Sequence, residues 1–436
     1  MNFGKSVRYT MYNYLDSVRY DRFGAKTSQK FGNGLKTSYT YEPVMRRLSS
    51  VSTRDPYGGT NSSMSYLYDF VGNITQLTST YPWRPGETFT EDFIYDDADQ
   101  LMSASSNVYS LNMIYGDWGK VENYDFFYDA SGIPVHHHRQ YTYDPYCETF
   151  AAQSYTDNPS GEDVYMTYGI NGSLQHKVTN FDPFMYPNAA PMEEFYLFAA
   201  SGNMQAYCKD YNDFIYYGYD AANTRTYKLR MWNHAQWSNG LPDELDLRAY
   251  QAVFYPNAYL TFNEYGQYTK HYYAGTQRIA SRLGQSSLNI GCGQTLPQSL
   301  RSRLDSRRQQ AESYYQQQLS QLIIMDPYQP PMPVSVSTLT VDQLYVTAYH
   351  PMTGEPITNE PELEIYYYSV NHLGSTAFTT DCGGFVSQGF LYAPFGEITT
   401  EYTPLWQNGL IPNYAFNAKE LDEETGMYYY EARYMA

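Results

Sequence analysis

The sequence predicts an all-β protein, an antiparallel sheet built from short stacked repeats, with one amphipathic helix inserted. Three observations predict the sheet, its repeats and the helix. Tyrosine supplies 51 of the 436 residues, whereas Leu, Ile, Val and Phe together make up only about a fifth of the chain. A Tyr-Asp step followed by a Gly- or Asn-containing turn recurs along the sequence. One stretch, Gln298 to Met325, has neither Gly nor Pro. With a formal charge of −18, so little aliphatic content would otherwise signal disorder. Tyrosine changes that reading, because its ring fits a half-exposed pleat while its hydroxyl seeks a partner.

The repeats come first in chain order. Tyr41-Glu42 precedes Arg47-Leu48, Tyr68-Asp69 precedes Gly72-Asn73, and Tyr95-Asp96 precedes Gln100-Leu101. Weaker copies follow at Tyr128-Asp129, Tyr143-Asp144, Tyr168 with Asn171-Gly172, and Tyr219-Asp220. Segments such as Ser65 to Tyr68 read as short strands whose alternate side chains share a face. Gly72-Asn73 supplies the backbone freedom of a tight turn, and the Asp after each strand can accept local N–H bonds. Each unit is a hairpin too small to bury its apolar side alone, so the units must stack. Within Gln298 to Met325, Leu300, Leu304, Ala311, Tyr315, Leu319 and Leu322 recur at helical spacing. Asp326-Pro327 and the proline-rich run through Pro333 end that helix. The expected divisions are a repeat sheet over 1–284, an inserted helix and linker over 285–335, and a terminal segment over 336–436.

Charge and cysteine usage exclude several function classes. An excess of acidic over basic side chains argues against nucleic acid or an anionic membrane surface as partner. Cys147, Cys208, Cys292 and Cys382 stand far apart and form no zinc or redox pattern. Met1 to Lys30 lacks the apolar run of a signal peptide, and no apolar stretch reaches the ~20 residues of a membrane span. No cofactor is expected.

The terminal segment carries three ordered motifs. They are Asn371-His372-Leu373-Gly374-Ser375, Tyr392-Ala393-Pro394-Phe395-Gly396-Glu397, and the run from Phe416 through Lys419-Glu420-Leu421-Asp422-Glu423-Glu424-Thr425-Gly426-Met427-Tyr428 to Arg433-Tyr434. Together with the Tyr-Asp units they resemble the YD repeats and repeat-associated core of RHS proteins, most strongly over 366–434. The resemblance implies that the YD-repeat antiparallel sheet spirals into a shell, here a partial, open one, which in polymorphic toxins and the related Tc toxin component encloses a C-terminal toxin. In many members a core aspartyl-protease-like activity frees that toxin, and the family is secreted or displayed at the cell surface. The corresponding aspartates would follow Arg433-Tyr434, where this sequence reads Met435-Ala436. The expectation is a shell piece without the cleavage segment or toxin.

Other residues attract functional readings that geometry tempers. His136-His137-His138 cannot point three imidazoles one way along a strand, so a solvated loop is expected there rather than a metal site. His372 is expected to hold its turn by hydrogen bonding. Asp422-Glu423-Glu424 is expected to cap and solvate the turn before Gly426, not to form an acid/base pair. Cys292 has no visible activating partner. The basic cluster Arg301, Arg303, Arg307 and Arg308 rides on the helix, which is expected to dock on its own sheet. The function expected is therefore non-enzymatic: a wall that holds a toxin polypeptide or associates with other copies of itself. Two alternatives are an adhesin or carbohydrate-binding module using Trp83, Trp118, Trp232, Trp237 or Trp406, and a gene fragment without independent function whose sheet edges promote aggregation.

Overall fold

The computed structural model describes residues 13–56, 60–130, 133–144, 151–158, 160–169, 172–238, 241–242, 245–264, 267–285, 302, 306, 309–317, 334–337, 365–404, 414–431 and 434–435. Among these residues, 27 strands form one sheet. It is a meander: from Leu15–Tyr20 onward, successive strands pair antiparallel, each with its neighbour in sequence. The pattern continues through Gln277–Gln285 into Ile365–Val370 and ends at Ile398–Tyr402. Val334–Ser337 departs from it by lying parallel to the start of Leu245–Asn257. Alternation explains the strands locally. In Thr60–Tyr68, Met64 and Tyr66 are buried while Ser65 and Leu67 face outward.

A single sheet normally has two wet faces, yet here many strands are buried on both. Ile365–Val370 and Thr376–Thr380 are buried almost throughout. Ala377, Phe378 and Leu391 pack into one cluster with Val51, Met64, Tyr66, Leu77 and Phe89, strands that lie far away along the ladder. Ala393 joins Leu111 and Phe126 in the same way, and Ile365 and Tyr367 join Phe31 and Leu35. Strands of one continuous sheet can meet face to face only if that sheet rolls onto itself, and the C-terminal strands thus form an inner layer. Close approach is built in at Gly389, where a Cβ would run into the Trp83 indole.

Strands Met192–Phe198, Met204–Lys209 and Asp213–Tyr219 show both faces covered. Tyr196, Tyr207, Ile215 and Tyr217 meet Met427 and Tyr434 of the C-terminal segment. On the opposite face Phe195, Ala206, Phe214 and Tyr216 meet Tyr315 and Ala311 of the helix at 309–317. The Tyr315 ring lies 4.4 Å from that of Tyr216, and its hydroxyl donates to Tyr227. The helix thus docks on its own sheet. Leu300, Leu304, Leu319, Leu322 and the four arginines of that region lie outside the described residues. No helix among the described residues is long and apolar enough to cross a membrane.

Candidate functional site

The Tyr-Asp step is a five-residue loop with a defined hydrogen-bond pattern. After Tyr68, the Asp69 N–H donates to the Asn73 carbonyl, and Asp69 Oδ1 accepts from the N–H groups of Gly72 and Asn73. The fourth position, Gly72, has φ +115°, and Tyr68, like Tyr41, Tyr95 and Tyr219, sits at a register shift in its ladder, as expected of a turn closed by a bulge. Asp96 repeats the geometry on Ala98 and Gln100, with Asp99 at the positive-φ position. Asp220 repeats it on Ala222 and Thr224, with Asn223 there. Short Asx side chains tolerate that left-handed backbone, which is why glycine is replaceable.

The tyrosine links one hairpin to the one before it. Tyr41 donates its hydroxyl to the Lys26 carbonyl at 2.9 Å, Tyr68 to Leu48 at 2.7 Å and Tyr95 to Ile74 at 3.1 Å. Tyr115, Tyr143 and Tyr219 do the same to Leu101, Val121 and Met204. The acceptor in every case is the first residue of a strand that follows a short loop, which before Val121 and Met204 opens on Gly116 and Ala199 rather than on Asp. Tyr128-Asp129 differs from the expectation. Both residues are paired within Val121–Ala130, opposite Val135 and Pro134, because the connection to the next strand there spans only positions 131 and 132.

The motifs of the terminal segment reuse this loop. Asn371 takes the place of the Asp: its Oδ1 accepts from Leu373 and Ser375 N–H, and Gly374 has φ +82°. His372 does not hold the turn. Its ring packs edge-on against Tyr66 at 4.9 Å, Nδ1 has no hydrogen-bond partner, and burial lowers its pKa to about 4. Leu373 points outward, and Ser375 Oγ accepts from Asn417 N–H. In the second motif Pro394 and Phe395 occupy the loop tip, and Gly396, with φ +104°, leaves room for the Phe416 ring. Glu397 Oε1 accepts from the Tyr124 hydroxyl at 2.7 Å, and Tyr392 donates to the Thr376 carbonyl as the repeat tyrosines do. Tyr428 donates to the Gly396 carbonyl, tying the third motif to the second.

The third motif is seated by a buried ion network. Arg225, 1% exposed in its side chain, donates to Asp422 Oδ2 and Glu420 Oε2, both at 2.8 Å. Lys228 reaches Asp422 Oδ1 at 3.1 Å and Glu424 at 3.2 Å. The Arg225 guanidinium also lies 4.1 Å from the Tyr429 ring centroid and 4.6 Å from that of Tyr255. Burial opposes the charge on Arg225, yet Tyr255, Asp422 and Glu420 outweigh it and hold its pKa well up. Asp422 is therefore not a solvated turn residue: its carbonyl closes the turn on Thr425 and Gly426, while its carboxylate is fully buried. Lys419 pairs with Glu431 nearer the surface, Tyr434 packs beside Tyr217, and Arg433 lies outside the described residues.

The remaining candidates resolve plainly. His136, His137 and His138 belong to the strand Ile133–Tyr143, not to a loop. His136 and His138 share Asp125, and His137 turns the other way to buried Asp157. Among the described residues no group of three or more His, Cys, Asp or Glu side chains is arranged to hold a metal ion. Trp83 is core, Trp118 is exposed on a turn and Trp232 is partly exposed. The side chains of Trp237 and Trp406, and Cys147 and Cys292, lie outside the described residues.

A meander of hairpins, many tied to the one before by a tyrosine and rolled around its own C-terminal strands, resembles the β-shell that the RHS-like motifs imply. The comparisons with known proteins agree. The chain is 34% identical over 101 residues to the toxin subunit YenC1 of Yersinia entomophaga and 35% identical over 98 residues to YenC2. Those matches cover 21% and 20% of this chain and 10% of each relative, so homology to Tc toxin subunits is partial. No family model matches. The fold extends much further: 97% of the chain aligns with the Photorhabdus luminescens Tc holotoxin pore at a TM-score of 0.51 and 16% identity. The TcdB2-TccC3 complex with TEV aligns over 96% at a TM-score of 0.52 and 15% identity. The chain spans 17% of each of those chains.

Proposed function

We propose that this protein is a non-catalytic wall segment of a β-shell that encloses a toxin polypeptide. The observation that carries the reading is the rolled sheet, whose inner side is closed by its own terminal strands rather than by a separate domain. In this reading residues 1–284 form the wall, 285–335 an outer insertion and 336–436 the inner core. Crevices between wall and core suit a short stretch of a loosely held chain. Cavities of about 260 and 460 Å³ are lined by Lys228, Arg230, Arg278 and Glu423 together with Phe262, Tyr273 and Tyr414. Such a mixture offers hydrogen bonds and ring faces without a continuous greasy patch, so it can hold an unfolded segment without locking it. Among the described tryptophans only Trp118 and Trp232 are exposed, and they stand on different elements, which gives the sugar-binding alternative no aromatic platform there.

The test is co-expression with toxin polypeptides encoded beside the gene, followed by affinity capture and intact mass. Retention of such a polypeptide in a defined ratio supports the container role. No retention above the bare-resin control overturns it.

A further inference from the structure

The seam between wall and inner layer encloses a cavity of about 190 Å³. Its lining is mainly apolar, with Leu77, Phe93 and Leu101 on the wall side and Leu391 and Phe416 on the inner side. Glu91, Tyr109 and His372 interrupt that lining. Tyr109 donates its hydroxyl to Glu91 Oε2 at 2.7 Å, and burial raises the Glu91 pKa to about 7. Close by, the Glu397 carboxylate also acts on Tyr109, and its buried Oε2 has no hydrogen-bond partner.

The charge arrangement here differs from that around Asp157, Glu194 and Asp422. Asp157 meets His137 and Arg139, Glu194 meets Lys177, and Asp422 meets Arg225 and Lys228. Among the described residues neither Glu91 nor Glu397 forms an ion pair; each meets a tyrosine hydroxyl instead. The Glu91 carboxylate and an imidazole with an unpartnered Nδ1 therefore border a mainly apolar cavity whose lining holds no Lys or Arg, with the Glu397 carboxylate behind Tyr109. Burying acids without a counter-charge is costly, and a cation entering with its own apolar stem would relieve that cost and fill the space. An apolar cavity with a few convergent polar groups is also the usual form of a small-ligand site.

We propose that this seam cavity binds an alkylammonium group on an apolar body, the ammonium meeting Glu91 and the body lying between Leu77, Phe93 and Leu391. The chemistry is shared by free amines and by the lysine side chain of a polypeptide. The site does not depend on the container reading and stands or falls separately from it.

The experiment is calorimetric titration of the full chain at pH 8 with phenethylamine, with phenethyl alcohol as the neutral isostere and with N-acetyl-lysine amide. The amine is expected to bind roughly tenfold or more tightly than the alcohol. Glu91→Gln, which keeps an acceptor for Tyr109, is expected to erase that difference. Leu101→Phe, which fills the cavity without touching the carboxylates, is expected to abolish amine binding and keeps the test decisive if the first variant misfolds. Binding of lysine amide as tight as phenethylamine assigns the site to side chains, and binding of phenethylamine alone assigns it to free amines. Equal binding of amine and alcohol, no binding of any probe, or unchanged amine binding in both variants overturns the proposal.

Discussion

Replacing Arg225 with methionine isolates what seats the terminal hairpin. The guanidinium is the partner of Asp422, which is fully buried, and of Glu420; among the described residues, Lys228 at 3.1 Å from Asp422 and the Tyr255 hydroxyl at 2.8 Å from Glu420 would remain to them. Removing one member of a buried ion pair costs about 3–5 kcal/mol, because the other charge is left without its counter-charge in a poorly hydrated site. Lys228 keeps part of the compensation, which places Arg225→Met near the lower end of that range, about 3 kcal/mol. The double variant Arg225→Met with Asp422→Leu removes both charges and should recover about half of the loss or more, since apolar replacement of a whole pair is often near neutral. Urea unfolding followed by tryptophan fluorescence gives the free energies, and limited proteolysis with mass mapping reports on residues 414–435. If Arg225→Met stays within about 1 kcal/mol of the parent and the hairpin remains as protected, the ions are dispensable and ring packing at Tyr428 and Tyr434 holds the segment.

Three further outcomes rest on the same geometry. Tyr→Phe at Tyr68, Tyr95 or Tyr219 should each cost about 1 kcal/mol, whereas Tyr20→Phe, on a residue 61% exposed, should be neutral in the same denaturation series. Gly389→Ala should cost about 1–3 kcal/mol by driving a methyl into the Trp83 indole, and the Trp83 emission should shift as its stacking on Tyr402 is disturbed. His372, with a folded pKa of about 4, stays neutral while the unfolded chain takes up a proton near pH 6.5, so stability falls as pH drops through that window. Its contribution is about 3 kcal/mol at most, and His372→Phe should flatten that part of the stability-against-pH curve measured by urea titration.

How far the sequence disclosed the structure depends on the range of the interactions involved. The Tyr-Asp loops were legible because donor, acceptor and positive-φ residue lie within five positions, as at Asp69 to Asn73. The helix was legible from its spacing, though only Ala311 and Tyr315 of its predicted stripe lie among the described residues. Tyr128-Asp129 misled because the local letters match a repeat while the connection after it is too short for the loop. In the motif at 371–375 the histidine drew attention, yet Asn371 makes the turn bonds by offering the same Oδ1 as an aspartate. Arg225 gave no local sign at all: its partner Asp422 is 197 positions away, and a single arginine after Asn223-Thr224 looks like any surface residue. A hint did exist on the other side, since three carboxylates at Glu420, Asp422 and Glu424 on a hairpin with buried tyrosines require cations from somewhere. The rolling of the sheet was likewise invisible locally, because it is set by which distant faces meet.

Central to the container role is the position of the last strands on the enclosed side of a wall. Tyr434–Met435 pairs with Met427–Tyr429 beneath Tyr217 and Tyr219, so a polypeptide fused after Ala436 should start inside the curve, and the same polypeptide fused to the end of an unrelated globular carrier should not. The direct measurement is the rate at which a protease cuts the same unstructured polypeptide in the two fusions. Cleavage should be slower by about tenfold or more in the fusion after Ala436, as for a segment whose accessible state is seldom populated. Equal rates would show that the sheet does not enclose a polypeptide attached at its C-terminal end, and would contradict the container role.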